Sequence, residues 1–400
     1  MVAFATTTTI NAEPLSPNPA DWDAVVEAAD GQTVYWNAWG GAANINAYIQ
    51  WVGETLKERH NITVQHVKLD DTANAVSTVV TEKAAGRDSG GTIDLIWING
   101  ENFASMKREG LLYGPGWVEQ LPNWQFVDPE EKPTVVTDFT LPVDGMAAPW
   151  GMAKLVFFYD SARTNEADLP QNSDELLAWA KQNPGRFSYP QPPDFIGSSF
   201  LKQVLLEKVE DPSVLQMPVV EAEFDAITKP LFDYLDELNA VAWRSGKAFP
   251  ENYPAMAQML ADGEVEITFA FNPSAASAAI AEQQLPDTVR SFTFPEGTLA
   301  NTHFVSIPYN ASAKEGALVV ANFLMSPEAQ LHKEDPNVWG DPTVLSVAKL
   351  SDEDKAGFAA VERGIATLAA ADLGPALSEP HPSWMSRLEE AWAARYGVAN

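Results

Sequence analysis

Thr33–Gly41 reads TVYWNAWGG, Ile62–Leu69 reads ITVQHVKL and Ile93–Phe103 reads IDLIWINGENF. Between these runs lie two stretches of helical periodicity, from Asn44 to about Arg59 and from Thr72 to about Arg87. Ile45, Tyr48, Ile49, Val52 and Leu56 fall on one face of the first, and Val76, Val79, Val80 and Lys83 repeat at similar spacing in the second. The runs themselves are short, β-branched and nearly continuous in apolar character, as in strands whose sheet is covered on both faces. Alternation of this kind predicts a parallel sheet wrapped by helices. Such sheets bind ligands at the carboxyl ends of their strands, beside helix N-termini.

Those ends carry Trp36, Asn37, Trp39, Gly40 and Gly41, then Asp70 and Asp71, then Trp97, Asn99, Glu101 and Asn102. Rings and hydrogen-bonding groups dominate, without a nucleophile–base pair. The set points to holding a molecule rather than transforming it.

With 400 residues the chain exceeds what one hydrophobic core organises, so two domains are expected. An apolar run long enough to span a bilayer is missing from the sequence, so direct membrane insertion is not expected. Zero cysteines exclude disulfides and thiolate chemistry but do not fix the compartment. The net charge of −30, from 25 basic and 55 acidic residues, makes nucleic acid and anionic lipid poor partners. Most of these acids read as a solvated surface; attraction of a cationic ligand is the functional alternative. Met1–Ala12 reads either as the remainder of a signal peptide or as a flexible terminus, and Pro14, Pro17 and Pro19 place the start of the fold near Trp22.

The α/β pattern continues with differences. Ala148–Tyr159 is a strand entered through Pro149, Trp150 and Gly151, and Asn172 or Ser173 caps a helix with Asp174 and Glu175 in its first turn. Phe187–Phe200 is a strand that breaks into a proline-rich loop containing Tyr189 and Asp194. A helix reopens at Gly197–Ser199, whose free N–H groups and hydroxyls, Ser198 among them, suit an oxyanion or hydroxyl. Met256–Asp262 is a helix, Val265–Phe271 a strand, and Asn272–Ser274 opens another helix. Thr302–Pro308 is a strand, a helix follows around Ala313–Leu324, and Ser326–Pro327 starts one more. The last sixty residues read as helices, with Trp384, Leu388, Ala391 and Trp392 as a core stripe.

Metalloprotease, Walker, dinucleotide-binding and nucleophile-elbow motifs are missing. His60, His66, His303, His332 and His381 show no metal-ligand spacing, and Asp88–Gly91 (DSGG) is a loop. No catalytic residue, metal or cofactor is expected.

Six strings in order, Gln32–Gly41, Asp94–Phe103, Tyr189–Gly197, Val320–Leu324, Asp335–Leu345 (DPNVWGDPTVL) and Glu379–Trp384 (EPHPSW), resemble the YnjB-type family of ABC-transporter solute-binding proteins. The resemblance implies an α/β, two-lobed type II periplasmic binding protein with a ligand cleft between lobes joined by a hinge. It implies an exported, periplasmic chain, expected as a monomer, that passes a small-molecule solute to ABC permease transmembrane subunits. Crossings are expected near Met146–Trp150, Asn301–His303 and Trp339–Thr343. Lobe one would be 22–148 with 304–340, lobe two 149–303 with 341–400, and 1–21 a flexible N-terminus or signal remnant.

The candidate ligand-binding residues are Trp36, Asn37, Trp39, Gly41, Asp70, Asn99, Glu101, Trp150, Tyr189, Asp194, Ser198, Asn272 and Trp339. Rings beside Asp70, Glu101, Asp194 or Asp341 suit an organic cation. The same rings stack on sugar faces while Asn37, Asn99, Asn102 and Asn272 bind hydroxyls. The helix starts at Gly41 and Gly197–Ser199 suit a phosphate or carboxylate. A thiamine-like solute, cationic and aromatic with an optional phosphate, uses all three features. An enzyme on the same two-lobed fold is the rival from another class.

Overall fold

The order of the strands follows from where their apolar faces find cover. The computed structural model describes residues 15–369 and 372–397, so the reading of Met1–Ala12 lies outside them. After α1 (Trp22–Ala29), the chain alternates β1 (Thr33–Trp39), α2 (Ala43–His60), β2 (Thr63–Leu69), α3 (Ala73–Ala84), β3 (Leu95–Ile98) and α4 (Gly100–Arg108). β1 pairs in parallel with both β2 and β3, as the alternation predicts. Ile45, Tyr48, Ile49, Val52 and Leu56 are all buried on α2. On α3 the inner face is Ala75, Val76, Val79 and Glu82, whereas Val80 is 43 % exposed and Lys83 also lies outside. β3 is shorter than its apolar run because Gly100, at φ +59°, turns the chain into α4.

A two-stranded ribbon, β4 (Thr137–Asp138) and β5 (Leu141–Pro142), precedes β6 (Ala147–Lys154). The second body then runs β7 (Val156–Asp160), α5 (Ser173–Gln182), α6 (Phe195–Lys208), α7 (Glu221–Val241), α8 (Tyr253–Ala261), β8 (Ile267–Ala270), α9 (Ala275–Ala281) and β9 (Val289–Phe292). Its sheet is three antiparallel strands in the order β8-β7-β9. Asn172 caps α5 by accepting from the Glu175 N–H at 2.9 Å, as its position predicts. Phe187 contributes only an isolated bridge to Ile267. The expected strand from Phe187 stops there because the prolines of the following loop cannot supply ladder N–H groups.

The chain returns through β10 (Thr298–Ser306), followed by α10 (Lys314–Leu324), α11 (Pro327–Glu334), α12 (Asp352–Ala360), β11 (Ala376–Ser378) and α13 (Pro382–Tyr396). β10 is the spine of the molecule: antiparallel to β3 at one end and to β6 along its length, and parallel to β11 at the other end. The larger sheet thus reads β11-β10-β3-β1-β2, with β6 against β10. β11 departs from the all-helical reading of the last sixty residues; a three-residue strand is too short to show period-two alternation.

The two bodies have separate cores. Val34, Trp36, Tyr48, Trp150, Val305 and Leu318 belong to the first, and Phe157, Phe187, Tyr189, Leu201, Phe269 and Leu299 to the second. Trp384, Leu388 and Trp392 of α13 pack into the second core, as their stripe predicts. Residues 341–360 are expected in lobe two, yet their apolar side chains pack on the first core. Val344, Leu345 and Leu350 are buried in the first core and α12 packs on α11. The chain reaches the second body only beyond Ala360, where Ala366 is buried beside α9 residues and its N–H is bonded to Ser277. Trp339–Thr343, expected as a crossing, touches both bodies: Trp339 lies in the first core and its carbonyl accepts from Asn272. Among the described residues no helix is long and apolar enough to cross a membrane.

Candidate functional site

α6 begins where its sequence places a cap. Asp194 accepts from the N–H groups of Ile196 at 2.9 Å and Gly197 at 3.2 Å, and the Ser198 N–H bonds the Asp194 carbonyl. The first turn is therefore satisfied from within, and the expectation of free N–H groups for an oxyanion at Gly197–Ser199 is corrected. Burial pushes the Asp194 carboxyl up to about 6 even though both N–H groups favour its ionised form.

Ser198 and Lys202, four residues apart, project from one face of α6. The Ser198 hydroxyl donates to Glu389 Oε1 of α13 at 2.6 Å. Lys202 Nζ lies 2.7 Å from Glu379 Oε2, and both side chains are 1 % exposed. The ammonium also sits over the rings of Phe139, 4.5 Å away, and Phe195, 5.1 Å away. Asn301 donates to the other oxygen of Glu379 at 3.1 Å.

Lobe one supplies the opposite wall from the exit of β3. Asn99 Nδ2 donates to Asp138 Oδ1 at 2.9 Å and to the Thr302 carbonyl at 2.6 Å, and the Gly100 N–H donates to Asp138 Oδ2 at 2.5 Å. A Cβ on Gly100 would stand 2.9 Å from the Phe139 ring, so glycine is needed here for space as well as for its positive φ. Glu101 opens α4, accepts from Asn102 at 2.7 Å, and is carried toward lobe two because α4 packs on α13.

The result is a junction rich in acid. Burial raises the Glu101 carboxyl, Lys202 opposes the rise, and Asp71 and Glu379 add to it. Burial also lifts Glu389 to about 7; the Ser198 hydroxyl pulls it down while Glu101 pushes it up. Asp138 rises to about 7, again chiefly from burial, against the Asn99 and Gly100 hydrogen bonds. Lys202, the basic group in this set, is committed to Glu379. Lys202 thus faces three carboxylates, Glu379, Glu101 and Glu389, with Asp71 and Asp138 adding negative charge around them, an arrangement that favours added positive charge.

The sequence candidates divide sharply. Asn99, Glu101 and Ser198 meet at this junction. Trp36, Trp150 and Trp339 do not form a ligand wall: they pack on one another in the first core, with Trp36 and Trp150 centroids 5.3 Å apart and Trp150 and Trp339 5.2 Å apart. The reason for Trp36 is strand alternation, which turns it inward with Val34 and Ala38. Tyr189 is in the second core, its hydroxyl donating to Asn239 at 2.9 Å and accepting from Trp392 at 3.0 Å. Asn37 is buried within β1, and Asp70 is exposed. Asp341 is paired with Lys333 at 2.5 Å and is not open to a ligand.

Trp39 is half-buried against Gly41. Asn272 caps the turn before α9 and donates to the Trp339 carbonyl at 3.4 Å, joining the two bodies. On that side a cavity of about 380 Å³ is walled by Asn44 and Tyr48 of α2, by His332, Asn337 and Val338, and by Glu282 at the end of α9.

Lys202, Glu379, Glu389, Asp138 and Phe139 escaped the sequence reading. The spacing of Ser198 and Lys202 on one helical face was the signal available for the lysine. Among the described residues no group of three or more His, Asp or Glu side chains is placed to hold a metal ion.

Residues 51–360 match the family described as bacterial extracellular solute-binding protein. Protein YnjB of Escherichia coli (strain K12) is 44 % identical over 384 residues, 96 % of each chain. Solved structures share the fold at low identity. A putative spermidine/putrescine ABC transporter from Listeria monocytogenes matches with a TM-score of 0.63 at 16 % identity, over 91 % of this chain and 98 % of that one. The periplasmic binding protein AfuA of Actinobacillus pleuropneumoniae, with fructose-6-phosphate bound, matches at 0.62 and 14 %, over 92 % and 99 %. Iron-bound HitA of Pseudomonas aeruginosa matches at 0.58 and 16 %, over 90 % and 98 %. The matched family is one of solute-binding proteins, which sets aside the enzyme reading on the same fold. The chain belongs to the bacterial extracellular solute-binding protein family, in its YnjB-type branch, with the two-lobed type II fold.

Proposed function

We propose that this protein captures a small organic cation between its lobes, outside the cytoplasm, and delivers it as a monomer to ABC permease subunits. One observation carries the reading. Carboxylates from both lobes, Glu101 on α4 and Glu389 on α13, approach one junction whose ammonium is already paired. A cation entering there relieves repulsion between the lobes and gains charge-assisted hydrogen bonds. An anionic solute has less support, because Asp194 occupies the α6 N-terminus. A thiamine-like solute keeps its ionic contact but loses the tryptophan wall; Phe139 and Phe195 are the rings nearest the charge. In this reading lobe one comprises 22–150 with 304–360, and lobe two 151–303 with 361–369 and 372–397.

Calorimetry with thiamine, choline and glucose, on the parent chain and Glu101→Gln, tests the proposal. A cation is expected to bind and glucose not, with Glu101→Gln weakening the cation by about 1.5–3 kcal/mol while the fold is kept. Binding of glucose alone, unaffected by the substitution, would remove the cationic reading.

A further inference from the structure

β6 and β10 run side by side between the bodies, with Gly151 opposite His303, and their register shifts between His303 and Phe304. Trp150 and Val305 belong to the first core, Ala153 and Leu299 to the second. The short segments between them, around Gly151–Met152 and Thr302–His303, are where dihedrals must change if the lobes swing.

Asp341, fully buried, sits against that step. Its Oδ1 lies 3.1 Å from His303 Nε2, and its Oδ2 accepts from Lys333 Nζ at 2.5 Å. Lys333 belongs to α11 of lobe one and also donates to the carbonyls of Asp341 and Pro342, at 3.0 and 3.1 Å. The Pro342 carbonyl accepts in turn from the Met152 N–H at 3.1 Å. One turn earlier on α11, Gln330 donates to the Trp150 carbonyl at 2.7 Å and accepts from the Thr343 hydroxyl at 2.8 Å. A Cβ on Gly151 would stand 1.9 Å from Asp341 Oδ2, so glycine alone lets the carboxylate lie against the strand.

We infer that Asp341, anchored by Lys333, is the positioning residue of the hinge: it ties the pivot of both crossing strands to lobe one and sets the balance between open and closed lobes. A solute shifts that balance only by its differential affinity for the two states, so the intrinsic balance scales the apparent affinity of whatever is bound. The inference does not depend on the charge of the solute.

Because the chain has no cysteine, Glu58→Cys on α2 and Glu223→Cys on α7, both exposed, would carry the only two spin labels. Interlobe distances are then read by double electron–electron resonance on the whole unliganded protein, with circular dichroism as the check of folding. Asp341→Asn is expected to broaden the distance distribution and shift its mean by several ångströms, and Gly151→Ala to do the same by displacing the carboxylate. A purely structural role would lower the melting temperature and leave the distribution as in the parent, which overturns the inference. Should Asp341→Asn not fold, His303→Gln carries the test: broadening supports the hinge role and a parent-like distribution refutes it.

Discussion

Lys202 and Glu379 form an ion pair of 2.7 Å with both side chains 1 % exposed, at the point where the two lobes meet. Burying both charges is costly, and their attraction offsets the cost only while both are present. Lys202→Met is therefore expected to destabilise the fold by about 3–5 kcal/mol, because Glu379 is left buried without its partner. Adding Glu379→Gln should recover part of that loss. Urea unfolding of the single and double variants measures the difference.

Asp138 gives stability a pH dependence of definite sign. Its carboxyl rises from 3.8 to about 7 in the folded protein, so the fold favours the protonated form. The contribution is complete below the unfolded value and is lost as pH rises through about 7. Unfolding free energy should fall between about pH 4 and about pH 7, and Asp138→Asn should flatten the slope. Denaturant titrations across that range check both.

Glu389 gives binding the opposite sign. With its carboxyl raised to about 7, a cation that needs it ionised must displace a proton in acid. Affinity for a bound cation should rise with pH through about 7, by at most about tenfold per unit, and then level off. Glu389→Gln should bind more weakly at high pH and lose most of the slope. Calorimetry in buffers of different ionisation enthalpy would count the proton released.

Trp36 separates packing from recognition. With its ring wholly buried in the first core, Trp36→Ala is expected to cost about 3–5 kcal/mol of stability. The affinity of the molecules that remain folded should not change. A loss of binding without a loss of stability would return Trp36 to the cleft.

How far the sequence could be read depends on which contacts are local. The alternation of β1, α2, β2 and α3 was legible because parallel strands covered on both faces leave continuous apolar runs, and the buried stripe of α2 follows from 3.6-residue spacing. The places of Asn99, Glu101 and Ser198 in the fold could be read because a strand exit and a helix start announce themselves locally. Trp36, Trp150 and Tyr189 could not be assigned a face, since one residue of register turns a side chain from cleft to core. Glu379 and Glu389 reach Lys202 only through the tertiary placement of α13 and the segment before it, which no local pattern encodes. The packing of residues 341–360 on the first core could not be read for the same reason: their apolar side chains fit either core by composition, and packing alone decides.

The position of β10 in the sheet has a consequence for synthesis. β3 ends at Ile98 and its neighbour β10 starts at Thr298, about two hundred residues later. At roughly 5–20 residues per second the ribosome needs on the order of 10–40 s to cover that distance. Throughout that interval Leu95–Ile98 presents an apolar strand with one edge unpaired, the kind of edge that recruits other chains. The nascent protein therefore carries a built-in delay before its larger sheet can close, and Leu95–Ile98 is the segment that a holding chaperone would cover until β10 has been made.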